Sequence, residues 1–174
     1  MKHELWNFIN EVTVMPKSST VFLKTVIYLM GLLIFALCIF LIPQIITNIS
    51  DGPSMVKWVI YPIIIGFLLT TIPYYMALFQ ALKLLQLIDK NDAFSESAVF
   101  TLKKIKQCAL IITGIYIVMM PFIYIFAEKD DAPGAIIIGF VPMFASFVIA
   151  VFASVLQKIL KNALDIKTEN DLTV

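Results

Sequence analysis

The sequence contains no arginine, and all thirteen of its basic residues are lysines. It has a single histidine, His3, and two cysteines, Cys38 and Cys108, which form no Cys-x-x-Cys or Cys/His pair. Zinc sites and disulfide frameworks need clusters of such residues, and clamps for phosphate or carboxylate groups usually use arginine. We therefore expect no metal site, no cofactor and no catalytic residue, and we expect that the chain is not an enzyme.

Charged residues of any kind are also scarce. They make up 14% of the chain, against about a quarter in soluble proteins, whereas 60% of the residues are hydrophobic and the mean hydropathy is +0.93. Four apolar segments are long enough to cross a hydrocarbon core, which takes about 20 residues. They fall at about 21–46, 58–79, 107–127 and 135–156. The sequence predicts one all-α domain, residues 1–174, that forms an integral membrane four-helix bundle.

The longest polar interruption, residues 80–106, separates the second and third segments. The helical spacing of apolar residues continues into it, and Ser95 is a suitable N-cap for a new helix. We therefore predict a hairpin at 80–106 whose helices extend about 12–15 Å beyond the bilayer. Residues 1–15 are predicted to form an amphipathic helix at the membrane surface, with a loosely ordered terminus as the alternative. The polar tail at 167–174 is predicted to fray.

The lysines are unevenly distributed among the predicted loops. Eleven of the thirteen lie near the N-terminus, in the hairpin or near the C-terminus, whereas the other two loops contain only Lys57 and Lys129. Loops rich in lysine stay on the cytoplasmic side. Both termini and the hairpin are therefore predicted to lie in the cytoplasm. The exclusive use of lysine, whose codons are rich in adenine, indicates a bacterium, so the expected location is a bacterial plasma membrane.

The few polar residues inside the predicted spans are uncharged. They are the hydroxyl-bearing residues Thr70, Thr71, Tyr74, Tyr75, Thr113, Tyr116, Ser146 and Ser154. An ion-coupled transporter would need an ionisable residue at this depth, so the sequence argues against one. We expect the hydroxyl groups to bond to backbone carbonyls within or between helices. Each span also has one proline away from its start, and the resulting kinks would suit a small oligomeric channel or transporter.

Ser146, Ala150 and Ser154 recur every four residues in the fourth span. Small residues at this spacing let two helices approach closely. The row is a candidate packing surface within the bundle or a candidate seam of a homodimer, and the sequence leaves both open.

Lys103, Lys104 and Lys106 form a basic cluster just before the third span. In one interpretation they attract anionic membrane lipid. In the other they form, with Phe94 and Ser95, a docking surface for a cytosolic partner, because apolar residues that project beyond the membrane need cover.

Two short motifs carry a family resemblance: NDAFS at Asn91–Ser95, ahead of the lysine-bearing third helix, and ENDLTV at Glu169–Val174. Together with the four spans, they resemble a family of bacterial four-span proteins known as domain of unknown function 2975. The family's turn often reads Gly-x-Pro-Phe-Ser, whereas Asn91 and Ala93 stand here in place of its glycine and proline. The resemblance implies a membrane partner that sequesters, or senses for, a helix-turn-helix regulator.

We therefore expect a regulatory or interaction protein whose cytoplasmic face binds a soluble partner such as a helix-turn-helix transcription regulator. The chain itself is expected not to bind nucleic acid, and membrane lipid and further copies of the chain are the other expected partners. The alternative is a small oligomeric channel or transporter. The candidate partner-binding residues are Phe94, Ser95, Lys103, Lys104 and Lys106.

Overall fold

A computed structural model of the chain describes residues 17–50, 54–90 and 92–172. These residues form four long helices: α1 (Lys17–Ser50), α2 (Ser54–Asp89), α3 (Glu96–Lys129) and α4 (Gly134–Leu172). The prediction of an all-α membrane bundle of four helices is confirmed. The amphipathic helix predicted at 1–15 lies outside the described residues.

All four helices are longer than a bilayer requires. They contain 34 to 39 residues, which corresponds to about 50–60 Å of helix, whereas the hydrocarbon core is about 30 Å thick. Each helix contains an apolar stretch long enough to cross a membrane. The helices therefore extend beyond the bilayer, and where the membrane boundaries fall within them stays a prediction.

The helices pack in the order of the chain. α1 contacts α2, α2 contacts α3 and α3 contacts α4, while within the described residues no Cα atom of α1 lies within 8 Å of α3 or α4. α3 thus lies between two neighbours, and its buried residues recur along almost its whole length, from Ala98 to Ala127. α1 is the edge helix, and most of its surface is left for lipid to cover.

A few polar contacts join α1 to α2. The Tyr75 hydroxyl donates a hydrogen bond to the Gly31 carbonyl oxygen at 2.8 Å, and Lys24 forms an ion pair with Asp89 at the end of α2. Between helices in lipid there is little hydrophobic driving force, so close packing and hydrogen bonds hold them together. These contacts therefore account for how the edge helix stays attached.

Two glycines allow α3 to approach its neighbours closely. A Cβ atom added to Gly66 of α2 would lie 2.2 Å from the Met119 Sδ atom, and one added to Gly139 of α4 would lie 2.6 Å from the Ile123 Cδ1 atom. Both distances are too short for any real contact. Met119 and Ile123 are buried, so the missing side chains are what make room for them.

A tight turn connects α3 to α4. Asp131 has a positive φ of 50°, and the Ala132 N–H donates to the Ala127 carbonyl oxygen at 3.0 Å. This is the usual way to end a helix, with aspartate in place of the more common glycine. The two helices are therefore held as a short antiparallel pair.

The prediction that the tail frays from Lys167 was wrong as far as Leu172, because α4 continues to that residue. No glycine or proline follows Pro142 to stop the helix. The Thr168 hydroxyl also donates to the Leu164 carbonyl oxygen at 2.9 Å. A polar composition alone was a poor guide to the end of this helix.

We expect Gly66→Ala to destabilise the bundle, because the new methyl group would displace the buried Met119 side chain. Overpacking of this kind costs about 1–3 kcal/mol, which thermal unfolding in detergent micelles would show as a lower Tm. Gly114→Ala is the matched control, since a Cβ atom there has no neighbour within 4 Å. It should leave the Tm unchanged or raise it. Equal effects of the two substitutions would contradict the close α2–α3 contact.

Candidate functional site

One end of the bundle collects most of its charged residues. α1 begins, α2 ends, α3 begins and α4 ends on this side, as the Lys24–Asp89 ion pair between α1 and α2 shows. We name it the hairpin end and define it as residues 17–24, 80–106 and 157–172. Because the spans are almost free of charge, this end is where a polar site can be built.

Ser95 begins α3 as its N-cap. Its backbone is extended, with φ −129° and ψ 158°, and its Oγ atom accepts a hydrogen bond from the Ala98 N–H at 3.3 Å. Such a cap satisfies one of the free N–H groups at a helix start. Ser95, predicted as a partner-binding residue, therefore has a structural role in fixing the hairpin.

Phe94 lies next to this cap and is exposed, with 53% of its surface accessible. Phe100, about one turn into α3, is equally exposed, and the Lys104 ammonium group lies over its ring at 4.7 Å from the centre. A cation at this distance interacts favourably with an aromatic face. Phe94 and Phe100 therefore both expose apolar surface near the start of α3.

The three lysines of the predicted cluster do not share one surface. Lys103 is exposed, and Lys104 packs on Phe100. Lys106 is half-buried and donates a hydrogen bond from Nζ to the Ser154 Oγ atom of α4 at 3.0 Å. Lys106 therefore joins two helices, and only Lys103 is directed to a groove on this end of the bundle.

That groove has a volume of about 590 Å³ and is formed by three helices. We name it the hairpin groove. Its lining residues are Lys83 from α2, Glu96, Ser97, Val99, Phe100 and Lys103 from α3, and Gln157, Lys161, Leu164 and Asp165 from α4. Three ammonium groups and two carboxylates thus surround one space.

Most of the groove's charged residues were missed by the sequence analysis, which selected only Lys103 among them. Lys83 and Lys161 belong to other helices and are distant from Lys103 in the chain, so no local sequence pattern connects the three. A signal was nevertheless present, since Lys83, Lys103 and Lys161 each lie four or five residues outside the predicted end of their span. Their similar distance from the predicted span ends was therefore the signal that they belong to one site.

The charges of the hairpin groove are not paired with one another. In the part of the chain that the structure describes, no ion pair joins Lys83, Lys103 or Lys161 to Glu96 or Asp165. The described residues also contain no group of His, Cys, Asp and Glu that could hold a metal ion. The groove therefore offers free hydrogen-bond donors and acceptors to a ligand.

The predicted small-residue row lies on the α3 side of α4. Ala150 is buried, and Ser154 accepts the hydrogen bond from Lys106. Ser146 is half-buried. In this chain the row is therefore used at least in part for packing against α3, and its use as a seam between copies stays a prediction.

The hydroxyl groups of three threonines inside the spans bond to backbone carbonyl oxygens, as predicted. Ser154 departs from that prediction, because its Oγ atom accepts from Lys106. Thr70 donates to the Gly66 carbonyl oxygen at 2.8 Å, and Thr113 donates to the Ala109 carbonyl oxygen at 2.9 Å. Thr71 donates in the same way to the residue four positions before it. These groups satisfy themselves locally, so they do not form a polar path through the bundle.

We expect Ser95→Ala to loosen the first turn of α3, because the Ala98 N–H loses its side-chain acceptor. Loss of an N-cap costs about 1 kcal/mol, and amide hydrogen exchange of residues 96–100 should accelerate about fivefold. Ser97→Ala is the matched control, since Ser97 is exposed and lies inside the helix. Equal exchange in the two variants would contradict the capping role of Ser95.

Comparison with known proteins agrees with the fold. Residues 52–174 match the family described as "Protein of unknown function (DUF2975)". A relative from Bacillus subtilis (strain 168), "Uncharacterized membrane protein YoaS", is 52% identical over 160 residues, which cover 92% of this chain and 100% of the relative. No solved structure matches the chain. The predicted resemblance is confirmed, as is the location in a bacterial membrane as a multi-pass protein.

Proposed function

We infer that this chain, which belongs to the family described as "Protein of unknown function (DUF2975)", is a non-enzymatic interaction protein whose hairpin end binds a soluble partner. The observation that carries the proposal is that large apolar side chains are exposed beyond the predicted ends of the spans. Phe94, Phe100 and Ile166 are all more than half exposed. Counted along the helices from the predicted span ends, Phe94 lies about 20 Å, Phe100 about 10 Å and Ile166 about 15 Å beyond the hydrocarbon core.

Exposed apolar side chains mean different things inside and outside a membrane. Within the spans they face lipid and need no further explanation. The headgroup layer is only about 5–8 Å thick on each side, so lipid does not cover Phe94 or Ile166. Aromatic side chains are enriched at protein interfaces, so Phe94 exposed to water supports a protein partner at the tip of the hairpin.

Phe94 and Lys103 are the proposed contact residues. Phe94 provides an aromatic anchor, and aromatic side chains are frequent at interface centres. Lys103 is exposed and would favour a partner with an acidic face. Lys106 is assigned instead to packing, because its ammonium group is bound to Ser154, and Lys104 supports Phe100.

The family resemblance supports a helix-turn-helix regulator as the class of partner. We propose that the chain binds such a protein away from its DNA rather than binding nucleic acid itself. Glu96 and Asp165 lie farther from the spans than the lysines of the same groove, and there their carboxylates would repel the long phosphate backbone of a nucleic acid. Sequestration at the membrane would reduce the free regulator in the cytoplasm.

The interaction function is favoured over a channel or transporter. Two further grooves, between α1 and α2 and between α2 and α3, are lined by apolar and aromatic residues. Such surfaces suit lipid contact and do not suit the passage of ions. A channel would need several copies, and solute flux into proteoliposomes that is lost when Ser146 is replaced by leucine would support it.

The proposal places the hairpin end in the cytoplasm, as the lysine distribution favours. A cysteine introduced at Lys129, in a variant without Cys38 and Cys108, should then react with a membrane-impermeant maleimide in intact cells. A cysteine at Lys90 should react only after permeabilisation. The reverse pattern would move the hairpin end to the outside and exclude a cytosolic partner.

We expect a photo-crosslinking phenylalanine analogue at position 94 to capture a recurrent soluble protein in native membranes. The same analogue at Phe140 is the control, because Phe140 is similarly exposed but lies in the predicted span of α4. It should capture lipid only. The captured protein, once purified, should bind the chain at least about tenfold more weakly when Phe94 is alanine, as expected for an interface anchor.

Two results would contradict this proposal. One is capture of only lipid or only copies of the chain from position 94. The other is unchanged affinity of the purified partner for the Phe94→Ala and Lys103→Ala variants, with insertion into the membrane unaffected.

A further inference from the structure

The lysines of the hairpin groove lie closer to the membrane-spanning stretches than its carboxylates do. The charge-free stretches of α2, α3 and α4 end at Lys83, Lys106 and Lys158. Lys103 and Lys161 each lie three residues beyond such an end, which is about 5 Å along a helix. The three lysines of the groove are therefore at the depth of the lipid headgroups, a layer about 5–8 Å thick.

The carboxylates of the same groove lie farther out. Asp165 is seven residues beyond Lys158 and Glu96 is ten residues beyond Lys106, which corresponds to about 10 and 15 Å. The groove thus has an inner basic layer and an outer acidic layer. Since no ion pair joins the two layers in the described part of the chain, both are free to bind a ligand that spans them.

We propose that the hairpin groove binds the headgroup of a phospholipid. The phosphodiester accepts hydrogen bonds from Lys83, Lys103 and Lys161, and the outer part of the headgroup donates hydrogen bonds to Glu96 and Asp165. Ammonium groups are donors only and carboxylates are acceptors only, so the headgroup must combine a phosphate with hydroxyl or N–H donors. Phosphatidylglycerol and phosphatidylethanolamine have this chemistry.

Phosphatidylcholine does not have it, because its trimethylammonium group carries no hydrogen to donate. A lipid is favoured over a soluble anion because the lysines lie where lipid phosphates are already concentrated. The groove volume of about 590 Å³ is ample for a headgroup. This inference does not depend on the proposed soluble partner. Lys103 belongs to both proposals, but Lys83 and Lys161 are not among the residues assigned to that partner.

The test is native mass spectrometry of the full-length chain released from phosphatidylcholine nanodiscs that contain either phosphatidylglycerol or phosphatidylethanolamine. The wild-type chain should retain one of these lipids selectively over phosphatidylcholine. Lys83→Gln with Lys161→Gln should weaken this retention by about tenfold or more, because each lysine near a bilayer surface contributes appreciably to the attraction of a phosphate. Which guest lipid is retained identifies the outer donor group.

Lys90→Gln with Lys158→Gln is the matched control. It removes the same charge from the same end of the bundle, and both residues are exposed outside the groove. It should change lipid retention by less than about threefold. Equal losses in the two double variants would overturn the proposal, because they would show attraction by overall charge without a specific site.

Two further results would also overturn it. One is retention of phosphatidylcholine as strong as that of the guest lipids, which would show that the outer carboxylates select nothing. The other is displacement of the bound lipid by millimolar inorganic phosphate, which would assign the lysines to a soluble anion. Capture of a protein from position 94 should be unchanged in the Lys83/Lys161 variant, so the failure of one proposal is distinguishable from that of the other.

Discussion

The bilayer leaves no water to satisfy a backbone N–H or carbonyl group, and this constraint determines the architecture. Each segment that crosses must satisfy its own hydrogen bonds, which gives four long helices. Once they are formed, apolar surface gains little by leaving lipid for another helix. Association then depends on close approach, as at Gly66 and Gly139, and on a few polar bonds such as the one from Lys106 to Ser154.

The order of packing follows from where these contacts are found. α3 has a glycine contact on each side, with Met119 against α2 and Ile123 against α4. Within the described residues, α1 contacts α2 and neither α3 nor α4, in part through Tyr75 and the Lys24–Asp89 ion pair. The match to the family begins at residue 52, so it covers the three helices that form the hairpin groove and leaves out the edge helix. The matched region and the groove-forming unit are therefore the same part of the chain.

The sequence was sufficient for features that depend on neighbouring residues. The four helices and the cap at Ser95 follow from local spacing, and the structure confirms both. The bond from Lys106 to Ser154 does not follow from local spacing, because it depends on which helix lies beside α3. The hairpin groove is the clearest case, because Lys83, Lys103 and Lys161 are brought together only by the packing of three helices. Chain order alone does not reveal that packing.

The height of each group above the membrane separates the two kinds of contact that the hairpin end can make. If the lysines lie at headgroup depth as predicted, lipid phosphates would compete with the soluble partner for Lys103, which both proposals use. Phe94 lies about 20 Å from the predicted end of its span by helix length, so lipid phosphates would not reach it. A headgroup bound in the groove would join α2, α3 and α4 from below and leave the tip of the hairpin accessible. The membrane would then act as part of the scaffold that presents Phe94, because the lipid would lie closer to the membrane than the tip of the hairpin.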